Sequence, residues 1–297
     1  MSEHHHHHEV SGKNLFITIV LNVIITLSQI VGGIISGSLA LLSDAMHNLS
    51  DVLALLIAYG ANRLSSRPRS QSKTFGYKRA EILAALFNSS VLIGIAIFLI
   101  IEAFHKFIHP EAVKSIWVIS LGTLSIVLNA ASVFLIKDDA HDNMNIKVAY
   151  LHLLTDVMTS VAVVGGGILM YYFGLFWIDP LVSILIAIYL IWASYGLIKE
   201  SVSILMQFTP KGVDIENIIR NIEEEKEIEN AHHIHIWKLD DKHIHLEAHL
   251  DFKKNLLISE SNKVIDSLES KLHDSFGIEH VTFQCEYNRP DNKEKIV

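Results

Sequence analysis

Two short stretches of the chain, HNLSDV at 47–52 and HLLTDV at 152–157, each set a histidine four residues before an aspartate. On an α-helix, residues four apart share a face, so His47 stands beside Asp51 and His152 beside Asp156. Two such helices facing each other bring together two imidazole nitrogens and two carboxylate oxygens. That is a four-ligand set of the kind that Zn²⁺ takes in tetrahedral geometry. The two carboxylates also neutralise a divalent ion, which lowers the cost of holding it in apolar surroundings. Oxygen-only sets suit Mn²⁺, Mg²⁺ or Ca²⁺, whereas imidazoles favour Zn²⁺ and its neighbours. Imidazole titrates near neutral pH and must be unprotonated to bind a metal. Such a site, opened alternately to two sides of a membrane, can trade a metal ion for protons. A single pair reads more readily as a hydrogen-bonded lock between helices; it is the matched duplication that favours the metal. Asp44, three residues before His47, lies on a nearby face, as a carboxylate that orients a ligand or lines its approach.

The elements that position these residues are apolar. The chain has 297 residues, of which 50% are hydrophobic, and a mean hydropathy of +0.35. Residues 14–43, 82–101, 115–136, 157–178 and 180–198 carry no charged side chain. Runs of about 18 or more apolar residues are long enough to cross a bilayer core about 30 Å thick. Residues 45–62 belong to the same class, interrupted by Asp51. Six membrane helices are expected, near 14–36, 39–64, 80–105, 113–137, 144–172 and 177–206. A charge at bilayer depth costs a few kcal/mol even on lenient scales (about 3 kcal/mol), so the buried pairs are expected to be functional. Asn22, Gln29, Asn88 and Asn129 read as hydrogen-bonding groups between helices, and the glycines after residue 31 and at 165–167 as sites of close helix packing.

The chain divides into a His-rich N-terminal tail or tag (1–12), a six-helix transmembrane domain (13–209) and a cytosolic domain (210–297). Residues 4–8 are five histidines flanked by Glu3 and Glu9, read either as a native low-affinity metal collector or as an added tag. Residues 213–297 hold 11 basic and 19 acidic side chains, which accounts for the whole net charge of −8. An acidic domain does not suit nucleic acid; it suits a cation. Cys285 is the single cysteine, so no intramolecular disulfide can form. The segment between the second and third helices carries Arg63, Arg67, Arg69, Lys73, Lys78 and Arg79, whereas the first and fifth connections carry no basic residue. Positive charge marks the cytoplasmic side, which puts both termini in the cytoplasm.

After residue 212 the pattern changes to helix 214–225, strand 231–239, strand 242–252, helix 258–276 and strand 279–287. Alternation in HIHIWKL and HIHLEAHLDF supports the strands, and Val264, Leu268 and Leu272 give the second helix an apolar face. The order αββαβ forms a small two-layer α+β unit. His243 and His245 read as surface residues.

Five longer motifs, SLALLSDAMHNLSD (38–51), FGYKRAEILAALFN (75–88), AYLHLLTDVMTSV (149–161), WIDPLVSILI (177–186) and HIHIWKL (233–239), together resemble the cation diffusion facilitator family, in its zinc-transporting, bacterial-type branch. The resemblance implies a helical membrane protein with a C-terminal ferredoxin-like domain that pairs two chains into a homodimer. It implies that His47, Asp51, His152 and Asp156 hold the transported ion, and that Zn²⁺, with Cd²⁺ or Co²⁺ alongside, leaves the cytosol in exchange for H⁺. Retention of both histidines sets the chain apart from the manganese- and iron-carrying branches. A second, regulatory metal site is implied at His232, ahead of the first strand's alternating run, at His249 on the second strand and at Glu286 on the last, with Cys285 and His280 close in sequence. The loop KDDAHDNMNIK, with His141 as its one histidine, is short, which fits a bacterial inner-membrane protein. No organic cofactor is expected. The competing functions are an intramembrane metalloenzyme and a metal-sensing receptor. The first lacks an H-E-x-x-H motif, and a site filled by four protein ligands leaves no open position for catalysis. The second lacks room for an output module in so short a tail.

Overall fold

The computed structural model describes residues 12–136 and 144–296; the histidine run at 4–8 and His141 lie outside the described residues. Six long helices come first: α1 Gly12–Ser36, α2 Leu39–Ser65, α3 Ala80–Ile108, α4 Ser115–Ile136, α5 Met144–Phe173 and α6 Ile178–Leu205. They are followed by α7 Ile215–Glu223, β1 Ile228–Lys238, β2 Ile244–Phe252, α8 Ile258–Phe276 and β3 Ile278–Glu286. Five of the long helices are long and apolar enough to cross a membrane, and the part of α1 with described side chains, Val20–Ser36, is a shorter apolar helix. Large apolar side chains such as Phe98, Ile101, Phe134, Tyr172 and Trp192 point outward, as lipid-facing residues do.

The contacts gather the chain into two compact units. Among the described residues, one comprises those up to Ile57 with those of Phe87–Gly196, and the other Ala58–Leu86 with those from Leu197 onward. In the first unit, Leu41, Leu99, Val118, Val163, Met170 and Leu190 form the apolar core. Helices approach closely where glycine permits: a Cβ on Gly32 would fall 1.8 Å from the Leu121 side chain, and one on Gly167 would fall 3.1 Å from Ile119. Asp179, at the start of α6, caps α2 from 140 residues away in sequence: its carboxylate accepts from the Leu39 amide at 2.7 Å and from the Ser38 hydroxyl. A carboxylate placed there meets unpaired amides and the positive end of the helix dipole. The WIDP motif thus has a structural task that the sequence reading did not assign.

In the second unit, β1 pairs antiparallel with β2, and β2 pairs parallel with β3. The parallel pair needs a crossover, which α8 supplies. Gly277 closes α8 in the left-handed conformation at φ 64°. Ile218, Ile222, Leu268 and Leu272 of the helices pack on Ile236, Leu246, Ala248 and Leu250 of the strands. A bulge interrupts β1, where His232 pairs with His249 but His235 pairs with Glu247. His233 absorbs the extra residue at φ 52°. The bulge resets the two-residue period, so Ala231, Ile234 and Ile236 are all buried. β1 starts at Ile228, earlier than the expected residue 231, so His232 lies well inside the strand. His245 is a second correction. It is buried, stacked on Trp237 at 5.6 Å between ring centroids, because alternation along β2 turns it under the indole instead of out to solvent. His243 is half-exposed and bound to Asp240 at 2.7 Å.

Candidate metal centre

The quartet lies on α2 and α5. His47 Nδ1 is 3.4 Å from Asp51 Oδ2, and His47 Nε2 is 3.4 Å from Asp156 Oδ1. His152 Nε2 is 3.3 Å from Asp51 Oδ2 and 3.8 Å from Asp156 Oδ2. One ligand atom from each of the four residues lies within 4.8 Å of the other three. Four N or O atoms about 2.05 Å from a tetrahedral centre stand about 3.3 Å apart. The observed separations are close to that spacing. His47 and Asp156 are buried, whereas Asp51 and His152 are partly exposed, so the cluster opens on the Asp51–His152 side.

Buried polar atoms normally find hydrogen-bond partners, and exceptions call for an explanation. Both ring nitrogens of His47, Asp51 Oδ2 and both carboxylate oxygens of Asp156 are buried without a partner in hydrogen-bonding geometry. Among the described residues, the ion pairs of Asp51 and Asp156 run only to the two histidines. Two carboxylates and two imidazoles facing one another without a positive partner suit a divalent cation, and the donor set suits zinc.

A polar clamp one turn away fixes the two helices. Asp44 Oδ1 accepts from Thr159 Oγ1 at 2.9 Å, and Asp44 Oδ2 accepts from Ser160 Oγ at 3.0 Å and from Gln29 Nε2 at 2.5 Å. Asn48 donates to Gln29 at 3.0 Å, and Ser160 pairs with Ser125 of α4 at 2.9 Å. Asp44 precedes His47 by one turn, and Ser160 follows Asp156 by one turn. The clamp therefore holds α2 and α5 antiparallel in the register that makes the pairs meet. Of the amides read as inter-helix bonders, Gln29 joins α1 to α2 and Asn88 donates to the Ala54 carbonyl at 3.4 Å. Asn129 instead bonds within α4, to Ser125 at 3.4 Å, and Asn22 Oδ1 is buried without a partner.

Residues 15–206 match the cation efflux transmembrane domain, and residues 210–288 match the cation efflux protein cytoplasmic domain. The chain belongs to the cation diffusion facilitator family. Among the relatives of this family member, a cadmium, cobalt and zinc/H⁺-K⁺ antiporter of Bacillus subtilis is 38% identical over 99% of this chain and 95% of its own length. The metal cation efflux system protein CzcD of Cupriavidus metallidurans is 32% identical over 94% of this chain and 89% of its own. The zinc transporter ZitB of Escherichia coli is 33% identical over 88% of this chain and 83% of its own. The chain is a multi-pass membrane protein of a cation efflux family.

A second group gathers in the cytoplasmic domain of this family member. His232, His249, Glu286 and Asp291 each offer an atom within 4.8 Å of the others. His232 Nε2 is 3.6 Å from Glu286 and 3.4 Å from Asp291, and His249 Nδ1 is 3.1 Å from Glu286. Strand pairing explains the convergence. His232 is the register partner of His249, and Asp251 that of Glu286. His249 and Asp251 alternate with Ala248 and Leu250, which face the helices, so the clustered side chains share the opposite face of the sheet. Asp251 Oδ2 lies 3.3 Å from His232 Nδ1, the arrangement in which a carboxylate orients a metal-binding imidazole and leaves Nε2 to the ion. Burial pushes the His249 imidazole below its ordinary value, against the opposing pull of Glu286, which favours its neutral form. Lys293 holds Asp291 down to about 2.

Asp291 and Asp251 were missed in the sequence. The first sits in an irregular charged tail, RPDNKEK, where no period selects one acid over another. The second was recoverable from the period of two through His249. His280 and Cys285 are outside the cluster: the His280 ring stands 4.9 Å from that of His245, and Cys285 precedes Glu286 on β3, so it points to the other face.

Proposed function

We propose that this chain exports Zn²⁺, with Cd²⁺ and Co²⁺ as further cargo, from the cytosol in exchange for protons. His47, Asp51, His152 and Asp156 hold the ion in transit. The observation that carries this reading is the meeting of two imidazoles and two carboxylates between two membrane helices, with five of their buried polar atoms lacking any hydrogen-bond partner. The ligand chemistry supplies the coupling. A metal binds the unprotonated imidazoles, and on the far side protons replace it at the same nitrogens. The antiporter name of the Bacillus relative and the zinc names of the others support both cargo and exchange. The basic second connection supports an orientation in a bacterial cell membrane with both termini on the cytoplasmic side. The cytoplasmic domain pairs two copies, and its His232, His249 and Glu286 bind metal when the cytosolic level rises, steadying the dimer.

The test is uptake by inverted proteoliposomes containing the purified chain, with a zinc dye and a pH dye read together. Zinc entry accompanied by proton exit is expected. Zinc entry that proceeds with no pH signal, and is unaffected by collapsing the gradient, would overturn the exchange.

A further inference from the structure

The chain continues beyond the cytoplasmic-domain match at residue 288, and that extra segment returns to the sheet. The amides of His233 and Ile234, at the bulge of β1, donate to the carbonyls of Glu294 and Lys295 at 3.1 and 2.9 Å. Lys295 bonds to Glu223, to Asn230 at 2.6 Å and to the Ala231 carbonyl at 3.0 Å. The bulge frees two amides from the ladder, and the segment occupies them. Docked in this way, it places Asp291 Oδ2 3.4 Å from His232 Nε2. It also places the Lys293 ammonium 2.9 Å from Asp251, 3.3 Å from Glu286 and against Asp291. An ammonium has three donors, and here three carboxylates face it. Arg289 adds a contact to Glu286 at 2.9 Å.

We propose that the C-terminal segment both completes and guards the cytosolic site: Asp291 is its fourth ligand, and Lys293 holds the cation position until a divalent ion displaces it. This rests on the reading of His232, His249 and Glu286 as a metal site. The competition follows from shared atoms. Glu286 Oε2, which faces His232 Nε2 at 3.6 Å, is the oxygen that Lys293 binds at 3.3 Å. A Zn²⁺ ion on that oxygen and an ammonium beside it repel each other, so one excludes the other. A divalent ion also uses the two imidazole nitrogens, which an ammonium can meet only by donating to them. The lysine therefore raises the metal concentration at which the site fills without removing any ligand. It keeps the buried carboxylates of Asp251 and Glu286 paired in the meantime, as charges out of water require. Once the metal is in, Asp291 ties the segment to the sheet through the ion, and the Lys293 side chain turns outward.

The experiment uses the full chain in detergent, with Asp156→Ala and alanine in place of His4–His8 in the background, so that zinc binding reports the cytosolic site. Zinc affinity is measured by chelator competition, and backbone hydrogen exchange is followed over residues 231–236. In this background, zinc should bind and should slow exchange at His233 and Ile234. Lys293→Met, which keeps the aliphatic stem, should raise zinc affinity about tenfold or more. Asp291→Asn should lower it at least tenfold and remove the zinc-dependent protection. Unchanged affinity in Lys293→Met would overturn the guard, and unchanged affinity in Asp291→Asn would overturn the fourth ligand. The exchange measurement needs no variant in the segment, so a misfolded variant leaves it standing; zinc that leaves exchange at the two amides unaltered overturns the proposal. Loss of all zinc binding in the background, or binding that survives His232→Ala, would sink the reading of the cytosolic site itself.

Discussion

The two metal-type clusters use the same residue chemistry and differ in what surrounds it. Each combines two histidines with two carboxylates within the reach of one ion. Between α2 and α5, the carboxylates face only histidines among the described residues, and their buried oxygens lack hydrogen-bond partners. On the sheet, every carboxylate is also paired with a lysine or an arginine: Asp251 and Asp291 with Lys293, and Glu286 with both Lys293 and Arg289. The first arrangement has no internal substitute for its ion, which suits a site that must accept metal or protons at each turn of a transport cycle. The second is content without metal, which suits a site that fills only above a threshold. Burial of like charges costs several kcal/mol unless they are paired or protonated. The surroundings, not the ligand list, therefore decide how eagerly each cluster binds.

The comparison breaks most directly at its stronger end. Asp51→Ala or Asp156→Ala should reduce zinc flux in proteoliposomes about a hundredfold or more while the purified chain still elutes as the folded species; undiminished flux in both would remove the quartet from transport. His47→Asp is a smaller change, since it keeps four ligands but trades nitrogen for oxygen. It should shift the cargo profile several-fold toward Cd²⁺ or Mn²⁺, and an unaltered ratio of metal fluxes would refute the account of selectivity. On the sheet, His249→Ala leaves Lys293 with its carboxylates but deprives the ion of a nitrogen. Cytosolic zinc affinity should fall at least about tenfold, ~1.4 kcal/mol, in a calorimetric titration of protein already carrying Asp156→Ala and alanine in place of His4–His8. Affinity that stays put would place the ion elsewhere.

The smallest effect comes from a histidine–carboxylate pair that belongs to neither cluster. Burial alone would raise Asp240. The amides of His243 and Lys242, at 2.8 and 3.0 Å, and the His243 ring outweigh it and hold the carboxyl below its ordinary value. A lowered carboxyl stabilises the fold above its unfolded value of about 3.9 and loses that contribution as pH falls through its folded value. Asp240→Asn should therefore lower domain stability modestly at pH 7 and flatten its acid limb, with the difference from the parent chain vanishing below about pH 4 as the carboxyl protonates. It should also leave zinc affinity alone, because one histidine and one carboxylate do not make a four-ligand set. A zinc affinity that moves with this variant would blur the line between paired polar groups and metal sites.

Much of the architecture could be read before any coordinates. Uncharged runs of membrane length mark the long helices, since a single run satisfies its own backbone in hydrocarbon only as a helix. The period of two in HIHLEAHLDF marks β2, and α8 follows from its apolar spacing. The end points drifted by a few residues because helix ends are set by capping contacts such as Asp179 on α2, which are distant in sequence.

What the sequence determined by itself is the chemistry: His–Asp pairs one turn apart put a nitrogen and an oxygen on each of two helix faces, whatever those helices pack against. Only the tertiary structure decided that the faces meet, through the Asp44 clamp to Thr159 and Ser160, and that Asp291 and Lys293 come back onto the sheet at the bulge of β1. Local periodicity encodes which side of an element a residue occupies. Hydrogen bonds that span more than a hundred residues, or that join an irregular tail to a strand, depend on how elements pack, and no repeat in the sequence marks them.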